Sequence, residues 1–320
     1  TPEMMEGCSN MGALGSDENL CKIDGTTMAD WRRASRPFGE NCGFTLSEST
    51  QYIVLMDDLL AIELGADIHG AVPEVFINAD GIKKSISSPG VGNYISFSKA
   101  VAAAVGIVGI ETVQKRSFVH AHGSSTPANR VTESELISRV ADAFDINDWP
   151  VTAVKSYVGH SVAAAGGDQL MSALGTFKYG IIPGIKTVTT LAEDVHQKRL
   201  NFALNDNITT MKMEVAFINS KGFGGNNASA ILLSADKTNE MLLKRYGDRF
   251  MDYIDPREAT RESAADYAFQ ADRGNLAVIY RFGEELIDEQ AVVITTTGMS
   301  IPGCSLEIEF NPVNVWQDMQ

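Results

Sequence analysis

Cysteine is scarce in this chain: four occur among 320 residues, and none stands in a Cys-x-x-Cys pair. This spacing gives no disulfide framework and no thiol-rich metal site, so we expect reduced thiols and a cytoplasmic protein. The longest apolar run, 100–110, is too short to span a bilayer, and no secretory leader pattern is present. The chain opens on Thr1-Pro2 without an initiator methionine, and we expect it to be a piece of a longer protein.

Basic residues are also few relative to acidic ones. Lysine and arginine number 26 against 41 acidic residues, which gives a formal net charge of −15. Nucleic acids and anionic membranes need a basic footprint, so we expect neither as a partner. The length and the 44% hydrophobic content allow a large buried core.

Two strand-to-helix transitions carry a histidine each. The run Ser117 to Val119 precedes His122-Gly123, and the run 151–154 precedes Gly159-His160. Each β-branched run predicts a strand, and each is followed by a helical pattern. In the first unit, Thr126 and Pro127 have the residue types of an N-cap and a first helical position. The carboxyl ends of neighbouring strands hold the sites of open α/β sheets, so we expect the two imidazoles to converge.

The residues around this pair suggest general electrostatic chemistry. We expect a helix dipole to disfavour the cationic form of His160, so that a neutral imidazole can donate to a developing oxyanion. Lys155, at the end of a buried strand, needs an anionic partner, and Glu133 is the candidate. The glycine-rich turn around Phe223 is suited to presenting a backbone N–H to a substrate oxygen.

A zinc site is the alternative for the same histidines. His120 and His122 lie two apart on a strand and face one side, with His160 as a third ligand. No Cys, Asp or Glu stands at ligand spacing nearby, so we predict no metal.

The remaining pattern predicts an α/β chain with an added tail. Strands are expected at 42–57, 72–78, 214–219 and 227–234, and a helix at 94–112. Beyond residue 235 we expect a charged helix to about residue 253, then a loop, then strands near 276–282, 291–297 and 305–310.

Three ordered motifs resemble those of the β-ketoacyl synthases, the condensing enzymes of the thiolase fold. The family patterns HGTGTPxGDxxE, KSxxGHxxGAAG and NSFGFGGTNA are matched by 122–133, by 155–166 and by 219–228. The segments 34–38 and 43–48 are also similar to the family's ASRPF and GFxxGE stretches. The resemblance covers about residues 1–234, and the tail is most similar to long bacterial synthases that start from acetyl-CoA.

This resemblance implies a thiolase-like fold, with a mixed five-stranded sheet and helices on both faces. It also implies three parts of the chain. Residues 1–65 are the end of the N-terminal thiolase-like half, and residues 66–234 are the C-terminal thiolase-like half, which contains the site. Residues 235–320 are an appended α+β module.

The implied reaction is a decarboxylative Claisen condensation of fatty acid biosynthesis. An acyl group on a cysteine is attacked by malonyl-acyl carrier protein after loss of CO₂. No cofactor is implied, because phosphopantetheine arrives on the carrier protein or on CoA. The implied partners are the acyl carrier protein, an acyl-CoA or acyl-carrier-protein primer, the N-terminal half and a second copy in a homodimer.

The resemblance also implies roles for individual residues. His122 and His160 hold the malonyl thioester carbonyl, and Lys155 and Glu133 orient and charge-balance them. The N–H of Phe223 forms half of an oxyanion hole, and the ring of Phe223 forms a gate to the acyl pocket. Ser124 and Thr126 hydrogen-bond the phosphopantetheine arm.

Several positions depart from the family patterns. Where the family patterns have glycine, this chain has Ser125 and Ala163. Residues 129–130 replace the pattern's Gly-Asp, and Lys221 replaces its phenylalanine. None of the four cysteines has the context of the family nucleophile, so we expect this chain alone to be inactive. The alternative is a non-catalytic scaffold or chain-length-factor-like subunit of a condensing complex, and the intact histidine and lysine set argues against it.

Overall fold

The computed structural model describes residues 1–84, 89–208, 212–276, 282–284, 286–304, 307–310 and 317–319. Two compact units are present, Thr1–Arg261 and Glu262–Gln320. The three-part division at residues 65 and 234 stays a prediction.

Helices make up much of the first unit, and no described helix has the length and apolar content to cross a bilayer. The α-helices are α1 Pro2–Asn10, α2 Asp17–Asp24, α3 Asp58–Glu63, α4 Gly92–Val108, α5 Ile110–Lys115, α6 Pro127–Ala143, α7 Lys155–Val158, α8 Ala165–Tyr179, α9 Ala235–Tyr246, α10 Asp248–Asp252 and α11 Ile254–Asp272. Short 3₁₀ helices lie at Trp31–Arg33, Val162–Ala164, Glu289–Ala291 and Gln317–Met319.

Within the described ranges, the strands form one large sheet and two small ones. They are β1 Gly70–Ala71, β2 Val75–Ala79, β3 Ser117–His120, β4 Trp149–Thr152, β5 Ile181–Ile182, β6 Leu200–Phe202, β7 Asn207–Ile208, β8 Val215–Gly222, β9 Asn226–Ser234, β10 Val293–Ile294, β11 Gly298–Ser300 and β12 Ile308–Glu309. The large sheet runs β1-β9-β8-β3-β4-β6, with β2 also on β9. Strands β5 and β7 form a pair, and β10 to β12 form a three-stranded antiparallel sheet in the second unit.

The large sheet is mixed, and its parallel centre is buried on both faces. Strand β3 pairs in parallel with β4 and β8, whereas β9 runs antiparallel to β8. Along β8, Val215 and Phe217 join one apolar cluster, and Ala216 and Ile218 join the other. Both faces of a parallel strand are covered by helices, which is why such strands are continuously apolar in sequence.

Helices cover both faces, as the sequence predicts. Helix α4 packs on β2, β8 and β9, and α8 packs on β8 and β9 from the opposite cluster. The predicted α/β architecture, a mixed sheet with helices on both faces, is confirmed. The sheet has seven strands rather than five because β1 and β2 follow one another along the edge of β9, and short β6 extends the sheet beyond β4.

Two predicted segments have a different structure. Residues 42–57 contain no strand, only isolated bridges of Phe44 to Leu14 and of Leu46 to His160. An apolar run satisfies the strand pattern, but a strand also needs a neighbour to pair with, and the side chain of Tyr52 is 93% exposed.

The predicted loop after residue 253 is the helix α11. Its Ala, Glu and Arg residues favour a helix intrinsically, and Pro256 lies in the first turn, where proline is tolerated. No apolar stripe marks this exposed helix, so periodicity did not detect it. The predicted strand at 276–282 lies outside the described residues except at its ends, and 305–306 are likewise not described.

Candidate active site

The two histidines meet where neighbouring parallel strands end. Strands β3 and β4 pair side by side, with His120 opposite Thr152. The chain continues from β3 to His122, and from β4 through α7 to His160. The two imidazole centroids lie 5.3 Å apart, with an angle of 80° between the ring planes. The convergence expected from the strand positions is therefore present.

Backbone amides fix the orientation of both rings. The N–H of Lys221 donates to Nδ1 of His122 at 3.3 Å, and the N–H of Val162 donates to Nδ1 of His160 at 3.1 Å. A neutral imidazole that accepts at Nδ1 carries its proton on Nε2. Both histidines therefore offer an Nε2–H donor, which suits a shared oxygen atom of a ligand.

Burial keeps these imidazoles neutral. Desolvation, followed by the Lys155 ammonium and His160, lowers the pKa of His122 well below its usual value. Desolvation and Lys155 lower the pKa of His160 to about 4, against a smaller opposing effect of Asp168. Burial and the nearby cation are thus causes that the sequence did not indicate for His160, and the predicted effect of the helix dipole stays a prediction.

Lys155 lies in the core beside the histidines rather than at a strand end. It begins α7, its side chain is almost fully buried, and Nζ donates to the carbonyl oxygen of His122 at 2.6 Å. Desolvation lowers its pKa to about 8, while the charges of Glu133 and Asp168 oppose that shift. The predicted partner Glu133 thus acts on Lys155 through its charge, and its carboxylate binds other donors.

The Glu133 carboxylate is fully buried and accepts four hydrogen bonds. Its donors are the N–H groups of His122 and Gly123, at 2.7 and 2.9 Å, and the side-chain amides of Asn129 and Asn219, at 2.9 and 2.7 Å. This one carboxylate therefore connects α6, the turn after β3 and strand β8. Its position fixes the backbone that carries His122.

Sequence reasoning missed a second buried connector, Gln169 on α8. Its Nε2 donates to the carbonyl oxygens of His120, Ala121 and Asn219 at 2.8 to 3.0 Å, and its Oε1 accepts from Ser220. The signal in the sequence was a glutamine on a helix of small residues. In the structure this side chain is fully buried, and a buried amide must find hydrogen-bond partners. Gln169 holds the ends of β3 and β8 together behind the histidines.

Ser125 anchors another segment of the chain to the site. Its φ of +61° is in the left-handed region that favours glycine, the residue type of the family pattern at this position. Its Oγ accepts from the N–H of Arg36 at 2.7 Å, and its carbonyl oxygen accepts from the N–H of Gly43 at 3.1 Å. These bonds, with the bond of Ser35 Oγ to the carbonyl oxygen of Lys155, hold segment 34–44 against the site.

The other predicted site residues lie near the pair. Ser124 and Thr126 share a hydrogen bond of 3.1 Å between their hydroxyl oxygens. Thr126 is the N-cap residue of α6, as predicted, although its side chain makes no capping bond. Phe223 lies in the turn between β8 and β9, 55% exposed, with its ring 6.4 Å from that of Phe44, which lies 5.2 Å from His160.

The cysteines and His120 have the following environments. All four cysteines are unpaired, and burial raises the pKa of Cys42, the opposite of the shift that activates a thiolate. His120 is fully buried, and burial lowers its pKa to about 3. Among the described residues, no group of three or more His, Cys, Asp or Glu has the arrangement of a metal site.

Acidification is expected to destabilise this fold through the buried histidines. Unfolding restores an ordinary pKa near 6.5, whereas His160 titrates at about 4 in the folded chain. Between these values the unfolded state binds a proton that the folded state does not. The free energy of unfolding should therefore fall as the pH falls through this window, by at most about 1.4 kcal/mol per pH unit for each histidine.

Urea unfolding midpoints measured from pH 6.5 down to pH 4 test this expectation. The variant His160→Gln removes one titrating group and keeps a side-chain N–H donor, so its stability profile should be shallower than that of the parent. Identical slopes in the two proteins would contradict a neutral buried His160.

The chain is similar to several known proteins. The model of the β-ketoacyl synthase C-terminal domain matches residues 69–203. The β-ketoacyl-[acyl-carrier-protein] synthase FabY of Pseudomonas aeruginosa is 59% identical over 319 residues, which cover 99% of this chain and 50% of that protein. A 3-oxoacyl-[acyl-carrier-protein] synthase 2 of Synechocystis is 29% identical over 207 residues, covering 61% of this chain and 45% of that protein.

A solved structure shows the same fold. The crystal structure of the ketosynthase FabY from P. aeruginosa superposes with a TM-score of 0.95, covering 100% of this chain and 50% of that one. The chain thus spans about half the length of the relatives it matches.

Proposed function

The chain belongs to the β-ketoacyl synthase family, and from this we propose that it supplies the decarboxylation half of a condensing site. The observation that carries the proposal is the pair of neutral imidazoles whose centroids lie 5.3 Å apart, each with its Nδ1 bonded to a backbone N–H and its proton therefore on Nε2. Two donors aimed at one oxygen stabilise the negative charge that develops there during a reaction. The proposed activity is 3-oxoacyl synthesis in fatty acid biosynthesis.

In the proposed step, the thioester carbonyl of a malonyl group accepts a hydrogen bond from each of His122 and His160. The bond to the β-carboxylate breaks, CO₂ leaves, and the electron pair moves into the enolate whose oxygen the two N–H groups hold. The enolate carbon then forms a bond to the carbonyl carbon of an acyl thioester. The cysteine thiolate leaves, and the product is a 3-oxoacyl thioester.

The neighbouring residues have supporting parts in this proposal. Burial and, to a smaller extent, the Lys155 ammonium keep His122 neutral. Lys155 also donates to the carbonyl oxygen of His122, and Glu133 accepts from the backbone N–H of the same residue. Both are positioning residues. The N–H of Phe223 would face the oxyanion of the acyl thioester, and its exposed ring suits a gate.

The substrate's carrier arm and the primer come from outside this chain. The hydroxyls of Ser124 and Thr126 would hydrogen-bond a phosphopantetheine arm, which arrives on an acyl carrier protein or on CoA, with acetyl-CoA as the primer. The nucleophilic cysteine would come from a polypeptide segment beyond these 320 residues, because none of the four cysteines here has the sequence context of the family nucleophile. We propose that the protein acts in the cytoplasm, in accord with its unpaired cysteines, and as a homodimer, which the family resemblance implies.

Radiolabelled malonyl-acyl carrier protein and acetyl-CoA test the proposal with the intact protein that carries this chain. We expect release of labelled CO₂ and formation of a 3-oxoacyl-acyl carrier protein. Residues 1–320 alone, without a nucleophilic cysteine, should form no condensed product. Absence of both CO₂ and product with the intact protein would overturn the proposal and favour a scaffold subunit.

A further inference from the structure

A cavity of about 270 Å³ lies beside Lys221. Its wall includes Asn93 and Tyr94 at the start of α4, and Thr132 and Glu135 on α6. We refer to it as the Lys221 cavity. Its volume is slightly below the roughly 300–1,000 Å³ of pockets that take drug-sized ligands, so it suits a smaller molecule.

The Lys221 ammonium has no carboxylate partner among the described residues. The residue is partly buried, and its Nζ donates to the hydroxyl oxygen of Thr132 at 3.2 Å. Desolvation lowers the pKa of Lys221. A cation that has lost water without gaining an ion pair is unfavourable, so an anion in the adjoining cavity would stabilise it.

The carboxylates that act on Lys221 through their charge, and the one on the cavity wall, already have their own partners. Glu133 on α6 accepts four N–H donors. Asp80, after β2, pairs with Lys83 at 3.2 Å and accepts two further N–H groups. Glu135, on the cavity wall, lies 3.7 Å from the guanidinium of Arg139.

These charged groups face Lys221 from different elements, and their effects partly cancel. Glu133 and Asp80 raise its pKa, while Lys83 and burial lower it. The neighbouring His122 is neutral and accepts from the Lys221 backbone. Among the described residues of its wall, the cavity therefore has the Lys221 ammonium without a carboxylate partner and the Glu135 carboxylate paired with Arg139.

We propose that the Lys221 cavity binds a small carboxylate, with the Lys221 ammonium as its counter-ion. Lysine in place of the family's phenylalanine supplies the charge that a carboxylate needs. Because the N–H of Lys221 also holds Nδ1 of His122, the bound carboxylate lies next to the candidate active site. The proposal stands on this cavity alone, whatever reaction the histidines perform.

Sodium malonate is the probe, added to the intact protein at constant ionic strength with sodium chloride as the balancing salt. Reductive methylation followed by peptide mass spectrometry reports the reactivity of each lysine. We expect malonate to slow methylation of Lys221 by about fivefold or more near saturation. Lys115, an exposed lysine that pairs with Glu111, is the internal control and should react at an unchanged rate.

Two variants test the role of charge. Lys221→Met keeps an unbranched side chain of similar length without the charge, and it should lose the increase in melting temperature that malonate gives the parent protein. Lys221→Arg keeps the charge and should retain that increase. If Lys221→Met fails to fold, the methylation rate of Lys221 in the parent protein decides whether malonate binds in the Lys221 cavity.

Three results would overturn the carboxylate site. Lys221 could react equally fast in malonate and in chloride, or Lys221→Met could gain as much thermal stability from malonate as the parent. Protection by sodium phosphate equal to that by malonate would contradict a carboxylate ligand. None of these measurements uses a condensation assay, so a failure here is separate from a failure of the proposed reaction.

Discussion

Replacing His160 with alanine is expected to lower the condensation rate of the intact protein by roughly 100- to 1,000-fold, the usual effect of removing one oxyanion donor. The variant keeps the backbone but loses one of the two Nε2–H groups. The loss should appear in kcat, because the interaction strengthens as charge develops on the oxygen. Steady-state kinetics with malonyl-acyl carrier protein measure it.

Two further variants serve as comparisons for the expected loss of rate. His160→Gln retains an N–H donor near the Nε2 position and should keep more activity than the alanine variant. His69→Ala is the matched control, because that histidine is largely exposed and its ring lies 3.9 Å from the Asp67 carboxylate. A His160→Ala protein with a rate close to that of His69→Ala would exclude His160 from the chemical step.

Replacing Glu133 with alanine is expected to lower the free energy of unfolding by at least about 3 kcal/mol. The change leaves four buried N–H donors without their acceptor, and each unsatisfied buried group costs about 1–3 kcal/mol, less where water enters. Urea unfolding with an unchanged m-value gives the difference.

Glu111→Ala is the control for a surface carboxylate of the same type. Glu111 lies on α5 with its side chain 74% exposed and pairs with Lys115, so its loss should change stability by less than about 0.5 kcal/mol. Glu133→Gln preserves the size of the side chain but turns an amide N–H toward the existing donors, and it should also be destabilised. A Glu133→Ala protein within about 1 kcal/mol of the parent would show that the four bonds are not needed.

The sequence was sufficient to place the histidine pair. Parallel strands end at one edge of a sheet, so the positions of His122 and His160 after two apolar runs determine their meeting. Continuous apolar runs also predicted the buried strands β3 and β8 correctly. These features depend on local periodicity, which a single chain displays.

Contacts between distant segments could not be predicted in this way. Ser125 and Arg36 are 89 residues apart, and Gln169 reaches carbonyl groups of two strands. Nothing in a hydrophobic period specifies such polar bonds, because they follow from the three-dimensional approach of the segments. The same limit explains the strand predicted at 42–57: its apolar pattern is present, but pairing depends on a neighbour that the pattern does not specify.

The two amides that hold the imidazoles have a consequence for how this site can vary in evolution. The donors at Val162 and Lys221 are main-chain groups, which every amino acid except proline possesses. A change of side chain at position 221 therefore keeps the donor that sets the tautomer of His122, whereas position 162 is also restricted by its φ of +57°. The lysine that stands at position 221, where the family pattern has phenylalanine, thus brings a charge to this turn while its main chain holds the His122 ring.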